Sequence, residues 1–219
     1  MAPGEQKFNL IIFDLDGTLV DTEDLHVGSL IIAARERGCE LSLETGNEYI
    51  IGKPWDRSYQ EIQRDHPDLF HSSKDLQEAC GPHFDQMIAS GNVAIPESVH
   101  LLEELSKDMP VCIVSGSSRA EVAYFVDFLK ISKRVAFYLG NDDYHEGKPD
   151  PGCFLEAARL AGVDPHECLV FEDSFAGVAA AKRADMTCVA LKREPNTQDV
   201  SQADLILTNL ADFTFQGFE

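Results

Sequence analysis

The sequence predicts an α/β fold: a parallel sheet with helices on both faces, interrupted by one all-helical insert. Three observations point to it. Apolar runs of strand length recur after Pro96 and alternate with helical periodicities. Polar clusters stand at the carboxyl ends of several of these runs. The first run is separated from the second by about ninety residues with scarce strand signal, too many for a crossover helix alone.

Taken in order, Asn9–Phe13 is a continuous apolar run of the kind buried on both faces of a sheet. It stops at Asp14-Leu15-Asp16-Gly17-Thr18. From about Thr22 to Asn92 apolar positions fall at helical spacing, as at Leu25, Leu30, Ile31 and Ala34. A Gly-Cys break follows at Gly38, and helical stretches are expected over Asp56–Arg64 and Leu76–Ser90. The alternating part then reads helix Ser98–Ser106, strand Val111–Val114, helix Arg119–Leu129, strand Phe137–Leu139 and helix Pro151–Ala161. Strand Leu169–Phe171, helix Gly177–Ala184 and strands Thr187–Leu191 and Leu205–Leu207 complete it. The expected domains are residues 1–21 with 93–219, an α/β core, and residues 22–92, a helical insert.

Composition narrows the function. The 219 residues carry a formal net charge of −20. With no cationic stripe to release counterions, the chain is expected to bind neither nucleic acid nor anionic membranes. No window reaches the length of a membrane span, and the opening MAPGEQK lacks the apolar core of a secretory signal. The expected location is the cytoplasm. The six cysteines, Cys39, Cys80, Cys112, Cys153, Cys168 and Cys188, form no CxxC pair, so reduced and mostly buried thiols are expected.

Ligands of open parallel sheets bind at the carboxyl ends of strands, where this chain concentrates its polar residues. Asp14 and Asp16 are an i, i+2 pair and lean the same way from an extended backbone. Joined by Glu172 and Asp173 from a later strand end, they make a cluster of like charges that calls for a cation. Magnesium suits an all-oxygen donor set, and the lack of His and Cys disfavours zinc. Ser115 ends a strand before a helix. Its hydroxyl and the amides of Gly116 and Ser117 suit a phosphate oxygen, although N-capping alone would also explain a serine there. Lys148 lies in Gly147-Lys148-Pro149-Asp150-Pro151, a stiff loop that would present its ammonium to a phosphate; a solvated loop lysine is the plainer reading.

These segments resemble the haloacid dehalogenase-like superfamily, in its phosphatase and phosphomutase branch, over essentially the whole chain. The matching motifs are Phe13-Asp14-Leu15-Asp16-Gly17-Thr18, the DxDGT pattern; Val111–Val114 ending in Ser115; Lys148-Pro149; and Val170-Phe171-Glu172-Asp173-Ser174 with Gly177 behind it. All four stand in the family's order. The resemblance implies a Rossmann-like core with a small helical cap that closes over the site and selects substrate. It implies Asp14 as the nucleophile forming an aspartyl-phosphate, and Asp16 as general acid and base. Magnesium would be held by the Asp14 carboxylate, the Asp16 carbonyl, Asp173 and Glu172. Ser115 and the Gly116 amide would hold phosphoryl oxygens, Lys148 would neutralise charge, and Gly17 and Thr18 would shape the turn.

Asp16 separates this chain from the dehalogenases, which need no proton donor for a leaving alkoxide. The chain is similar to β-phosphoglucomutase in the core and at Asp21-Thr22 and His26. A mutase, however, holds a second phosphate with a cap arginine, and Trp55 stands in its place within Ile51-Gly52-Lys53-Pro54-Trp55-Asp56-Arg57. The expectation is therefore a magnesium-dependent phosphatase of small phosphorylated metabolites, sugar phosphates foremost, acting as a monomer. A phosphomutase and a non-catalytic phosphate-binding module are the alternatives. His26, Trp55 and Arg119 are further candidates for substrate contact, each equally explained as an ordinary helix or packing residue.

Overall fold

Six short strands form one parallel sheet: β1 Leu10–Phe13, β2 Val111–Val114, β3 Phe137–Leu139, β4 Cys168–Glu172, β5 Thr187–Leu191 and β6 Leu205–Leu207. Their order across the sheet is β3-β2-β1-β4-β5-β6, with Ile12 opposite Cys112 on one side and Val170 on the other. The order reverses at β1, which places a ligand crevice at the carboxyl ends of β1 and its neighbours. The computed structural model describes residues 8–51, 53, 55–90, 93–193 and 198–218. The MAPGEQK stretch (residues 1–7), Gly52 and Asn92 lie outside the described residues.

The chain divides into two compact units, residues 1–20 with 94–219, and residues 21–93. In the first, β1, β2 and β4 are buried throughout, which is why they read as unbroken apolar runs rather than alternating ones. One face of the sheet presents Leu10, Ile12, Cys112, Val114, Cys168 and Val170. These pack with Phe154, Ala157 and Ala158 of helix α7 (Gly152–Ala161) and with Val178, Ala180 and Ala181 of α8 (Phe175–Arg183). Phe13 and Phe171, whose side chains alternate to the opposite face, stack at 4.6 Å, and Phe171 meets the edge of Phe213. Helix α5 (Pro96–Leu105) packs against the turn at Leu210–Asp212, and α6 (Arg119–Phe128) against β3.

The second unit is all helical among its described residues: α1 Glu23–Glu36, α2 Leu43–Ile50, α3 Trp55–Asp65 and α4 Ser73–Ser90. Its core joins Val27, Leu30 and Ala34 of α1 to Tyr49, Ile50, Ile62, Leu76 and Cys80. Helix α2 has no counterpart in the sequence reading. Thr45, Gly46 and Asn47 are weak helix formers; the helix exists because Ser42 caps Thr45 N–H and Tyr49 and Ile50 are buried. The cysteines are free; five are buried and Cys39 is half-buried. Among the described residues no helix is long and apolar enough to cross a membrane.

Candidate active site

The carboxyl ends of β1, β2 and β4 bring Asp14, Ser115 and Glu172 together, because the three strands are adjacent and in register. Asp14 N–H donates to Phe171 O at 2.9 Å, which fixes the Asp14 backbone at the end of the ladder. Lys148 reaches in from the loop before α7. Its Nζ donates to Asp14 Oδ1 at 2.5 Å and to Glu172 Oε1 at 2.7 Å, and lies 5.1 Å from the centroid of the Phe154 ring. Burial pushes the Asp14 carboxyl up to about 8; Lys148 opposes the rise, and Glu172 and Asp16 add to it. Burial also works against the Lys148 charge, but Asp14 and then Glu172 outweigh it and hold the ammonium well above its ordinary value.

Asp14, Glu172 and Asp173 each offer a carboxylate oxygen within 4.8 Å of the others. Access for Asp173 depends on Gly17, whose φ is +85° and whose missing Cβ would lie 2.2 Å from Asp173 Oδ2. Thr18 Oγ1 also approaches Asp173, at 3.4 Å from Oδ1. Three carboxylates with no nitrogen or sulfur donor among them fit a hard divalent cation such as magnesium. A cation there would restore the anionic form of Asp14 that burial opposes. Glu172 belongs to this cluster, but Oε2 already accepts from Asp173 N–H, Ser174 N–H and Ser174 Oγ at 2.8, 2.8 and 2.9 Å. With Oε1 engaged by Lys148, Glu172 braces both the lysine and the turn that carries Asp173.

The Asp16 carboxylate stands apart from that cluster. Its Oδ2 accepts from Ser117 Oγ at 2.8 Å and Ser115 Oγ at 3.3 Å. The structure bears on two readings of this loop. Ser115 is not an N-cap: α6 begins at Arg119, three residues later than that role requires, and Ser118 caps it in a reciprocal box with Glu121. The Ser117 amide donates to Ser115 Oγ at 2.9 Å, so it is already spent within the loop. Gly116 N–H, by contrast, has no hydrogen-bond partner among the described residues.

Among the described residues Arg119 is engaged away from this cluster. Its guanidinium donates to Asp143 Oδ2 and Tyr138 O at 2.8 and 3.1 Å and covers the Tyr138 ring, an assignment within the sheet unit. In the helical unit His26 stacks on Phe84 at 4.3 Å and meets Trp55 edge-on at 5.5 Å. Two residues assigned no role from the sequence tie the site together. Ser174 holds Glu172 and caps α8 through Gly177 N–H, and a serine three residues before a glycine at a helix start was a usable signal. Tyr144, whose hydroxyl donates to Ser115 O at 2.8 Å, carried no local signal at all.

Comparison with known proteins identifies the family. The family described as haloacid dehalogenase-like hydrolase matches residues 8–185. Validoxylamine A 7'-phosphate phosphatase of Streptomyces hygroscopicus subsp. limoneus is 27% identical over 94% of this chain and 95% of its own length. Hexitol phosphatase A of Escherichia coli is 28% identical over 93% of this chain and 92% of its own. The crystal structure of β-phosphoglucomutase from Clostridium difficile superposes with a TM-score of 0.77 at 23% identity, covering 95% of this chain and 94% of that one, a likeness of fold.

Proposed function

Because the chain belongs to the haloacid dehalogenase-like hydrolase family, we propose that it is a magnesium-dependent phosphatase of small phosphorylated metabolites, sugar phosphates foremost, working through an aspartyl-phosphate on Asp14. The observation that carries this reading is the pairing of a lysine-bound carboxylate, Asp14, with a separate hydrogen-bonded carboxyl, Asp16. Lys148 engages Asp14 Oδ1 and leaves Oδ2 without a hydrogen-bond partner among the described residues, available to attack phosphorus. As the bond from phosphorus to the leaving oxygen breaks, Asp16 gives that oxygen its proton. Asp16 then takes a proton from the water that attacks the aspartyl-phosphate, which returns Asp14 and releases phosphate. Lys148 offsets charge on the nucleophile and the transferring group, and the Gly116 N–H is a donor for a phosphoryl oxygen. Asp14, Asp173, the Asp16 carbonyl and, in lesser part, Glu172 would hold magnesium, which would add to the neutralisation of phosphoryl charge.

Two points support sugar or polyol phosphates over a mutase substrate. The relatives named above as phosphatases act on a hexitol phosphate and on validoxylamine A 7'-phosphate. In the helical unit the cations that a second phosphate would need, Lys53 and Arg57, are both paired with Glu61, at 2.5 and 2.8 Å. Helices of that unit would act as the cap, with Trp55 and His26 as its aromatic lining.

Phosphate release from a panel of phosphomonoesters, with and without magnesium, tests the reading. Turnover is expected only with magnesium, and Asp14→Asn is expected to lose on the order of a thousandfold or more. Isomerisation of a sugar phosphate without net phosphate release would replace the phosphatase with the mutase. Equal inertness of both proteins towards every substrate would leave a binding module.

A further inference from the structure

One later segment grips the loop that follows β2. Four consecutive carbonyls, from Val114 to Ser117, each accept a hydrogen bond from residues 141–148. Lys148 Nζ donates to Val114 O at 3.1 Å, Tyr144 Oη to Ser115 O at 2.8 Å, Asn141 Nδ2 to Gly116 O at 3.0 Å and Asn141 N–H to Ser117 O at 2.9 Å. The grip continues at Arg119, whose N–H donates to Asp142 Oδ1 at 2.7 Å. Gly140 allows the two backbones to meet, since a Cβ there would lie 2.1 Å from Arg119 N.

A trans peptide is planar, so the C=O of one residue and the N–H of the next point in opposite directions. Each bond of the grip therefore aims one amide away from the 141–148 segment. The bond to Gly116 O aims Ser117 N–H, which is consumed by Ser115 Oγ. The bond from Tyr144 to Ser115 O aims Gly116 N–H, the amide of this loop that has no protein partner among the described residues. Both serine hydroxyls of the loop reach Asp16, so the loop also faces the acids.

We propose that Tyr144 is a positioning residue for phosphoryl transfer: its hydroxyl holds the Ser115–Gly116 peptide plane so that Gly116 N–H points at a phosphoryl oxygen. This rests on the phosphatase reading above. A preorganised donor acts because it need not reorient when charge develops, and a tether on the carbonyl side of the same peptide supplies that order. Asn141 holds the neighbouring plane, whose amide is already used, and so serves as the internal control.

The test compares full-length wild type, Tyr144→Phe and Asn141→Ala. Tyr144→Phe keeps the ring and removes only the hydroxyl. Inorganic phosphate is titrated calorimetrically in the presence of magnesium, kcat and KM are measured on one turned-over monoester, and thermal midpoints are recorded. Expected for Tyr144→Phe are phosphate affinity and kcat/KM each lower by about tenfold, with an unchanged thermal midpoint. Asn141→Ala is expected to stay within about twofold of wild type on both readouts. Wild-type phosphate affinity in Tyr144→Phe overturns the proposal, as do equal losses in the two variants, which would mean a general loosening of the loop. A wild-type protein that neither binds nor releases phosphate fails the phosphatase reading itself, and the role of Tyr144 falls with it.

Discussion

The two units of this protein handle charge in opposite ways. At the strand ends of the sheet Asp14, Asp16, Glu172 and Asp173 stand close in the fold, and Lys148 pairs with Asp14 and Glu172. Its side chain is 9% exposed. In the helical unit the ion pairs lie at the surface: Arg37 with Asp75, Lys53 and Arg57 with Glu61, and His83 beside Glu36. Those side chains stay partly in water. Like charges packed in a dry place are a cost that a ligand or metal relieves, whereas matched pairs at a surface hold helices in register and ask for nothing further. Burial of unneutralised carboxylates, rather than the presence of charge alone, is what distinguishes the candidate site.

The strongest way to break this comparison is to remove Lys148. Lys148→Met is expected to lower turnover by on the order of a hundredfold or more. Without added metal it should also cost about 3–5 kcal/mol of stability in urea unfolding, because two buried carboxylates are left uncompensated. A stability loss below about 1 kcal/mol, the range of exposed pairs, would show that water already solvates the cluster and that the contrast between the units is overstated.

How much of this was legible in the sequence follows from the same contrast. Asp14, Asp16, Lys148 and Asp173 stood out because short motifs carry them at strand ends or in a stiffened loop, and β2, β3, β5 and β6 fell where their apolar runs end. Helix α2 did not, since burial of Tyr49 and Ile50 overrides a Thr-Gly-Asn sequence that local propensity disfavours. Tyr144 was invisible for a different reason. Its partner, Ser115, lies 29 residues away, and nothing in Tyr144-His145-Glu146 marks a hydroxyl that ends on a backbone carbonyl. Arg119, conspicuous beside the Ser115 loop in sequence, proves to be tied to Asp143. Motifs report groups that do chemistry; the groups that aim them are set by tertiary contacts between segments.

A smaller effect is expected from the helical unit. Arg37 and Asp75 form a two-pronged pair at 2.7 and 2.8 Å, with Arg37 also donating to Leu69 O and lying over the Phe70 ring. The Arg37 guanidinium, then the His71 N–H, hold the Asp75 carboxyl well below its usual range. A carboxyl depressed in this way contributes stability that is complete above its unfolded value, about pH 4, and lost as pH falls through the folded value. Asp75→Asn should therefore cost about 1–2 kcal/mol at neutral pH, discounted for partial exposure, and the gap to wild type should close as the solution is acidified. Chemical unfolding at a series of pH values reads this directly. A gap that widens towards acid would mean that Asp75 is not the titrating partner.

The smallest effect should come from Glu61, and it sharpens the comparison most. Glu61 accepts from both Lys53 and Arg57, and Lys53 first, then Arg57, hold its carboxyl below the ordinary value. If charge in this unit serves pairing alone, Glu61→Gln should move the thermal midpoint by less than about 2 °C. It should also leave the substrate panel unchanged, because freeing two cations creates no site where the surrounding geometry was not built for one. The informative measurement is the ratio of isomerisation to phosphate release on a sugar phosphate with a bisphosphate activator present. A ratio that stays at zero keeps Lys53 and Arg57 as structural partners of Glu61. A ratio that rises in the variant would show that the pair masks a second phosphate site, and that the helical unit too holds charge for binding.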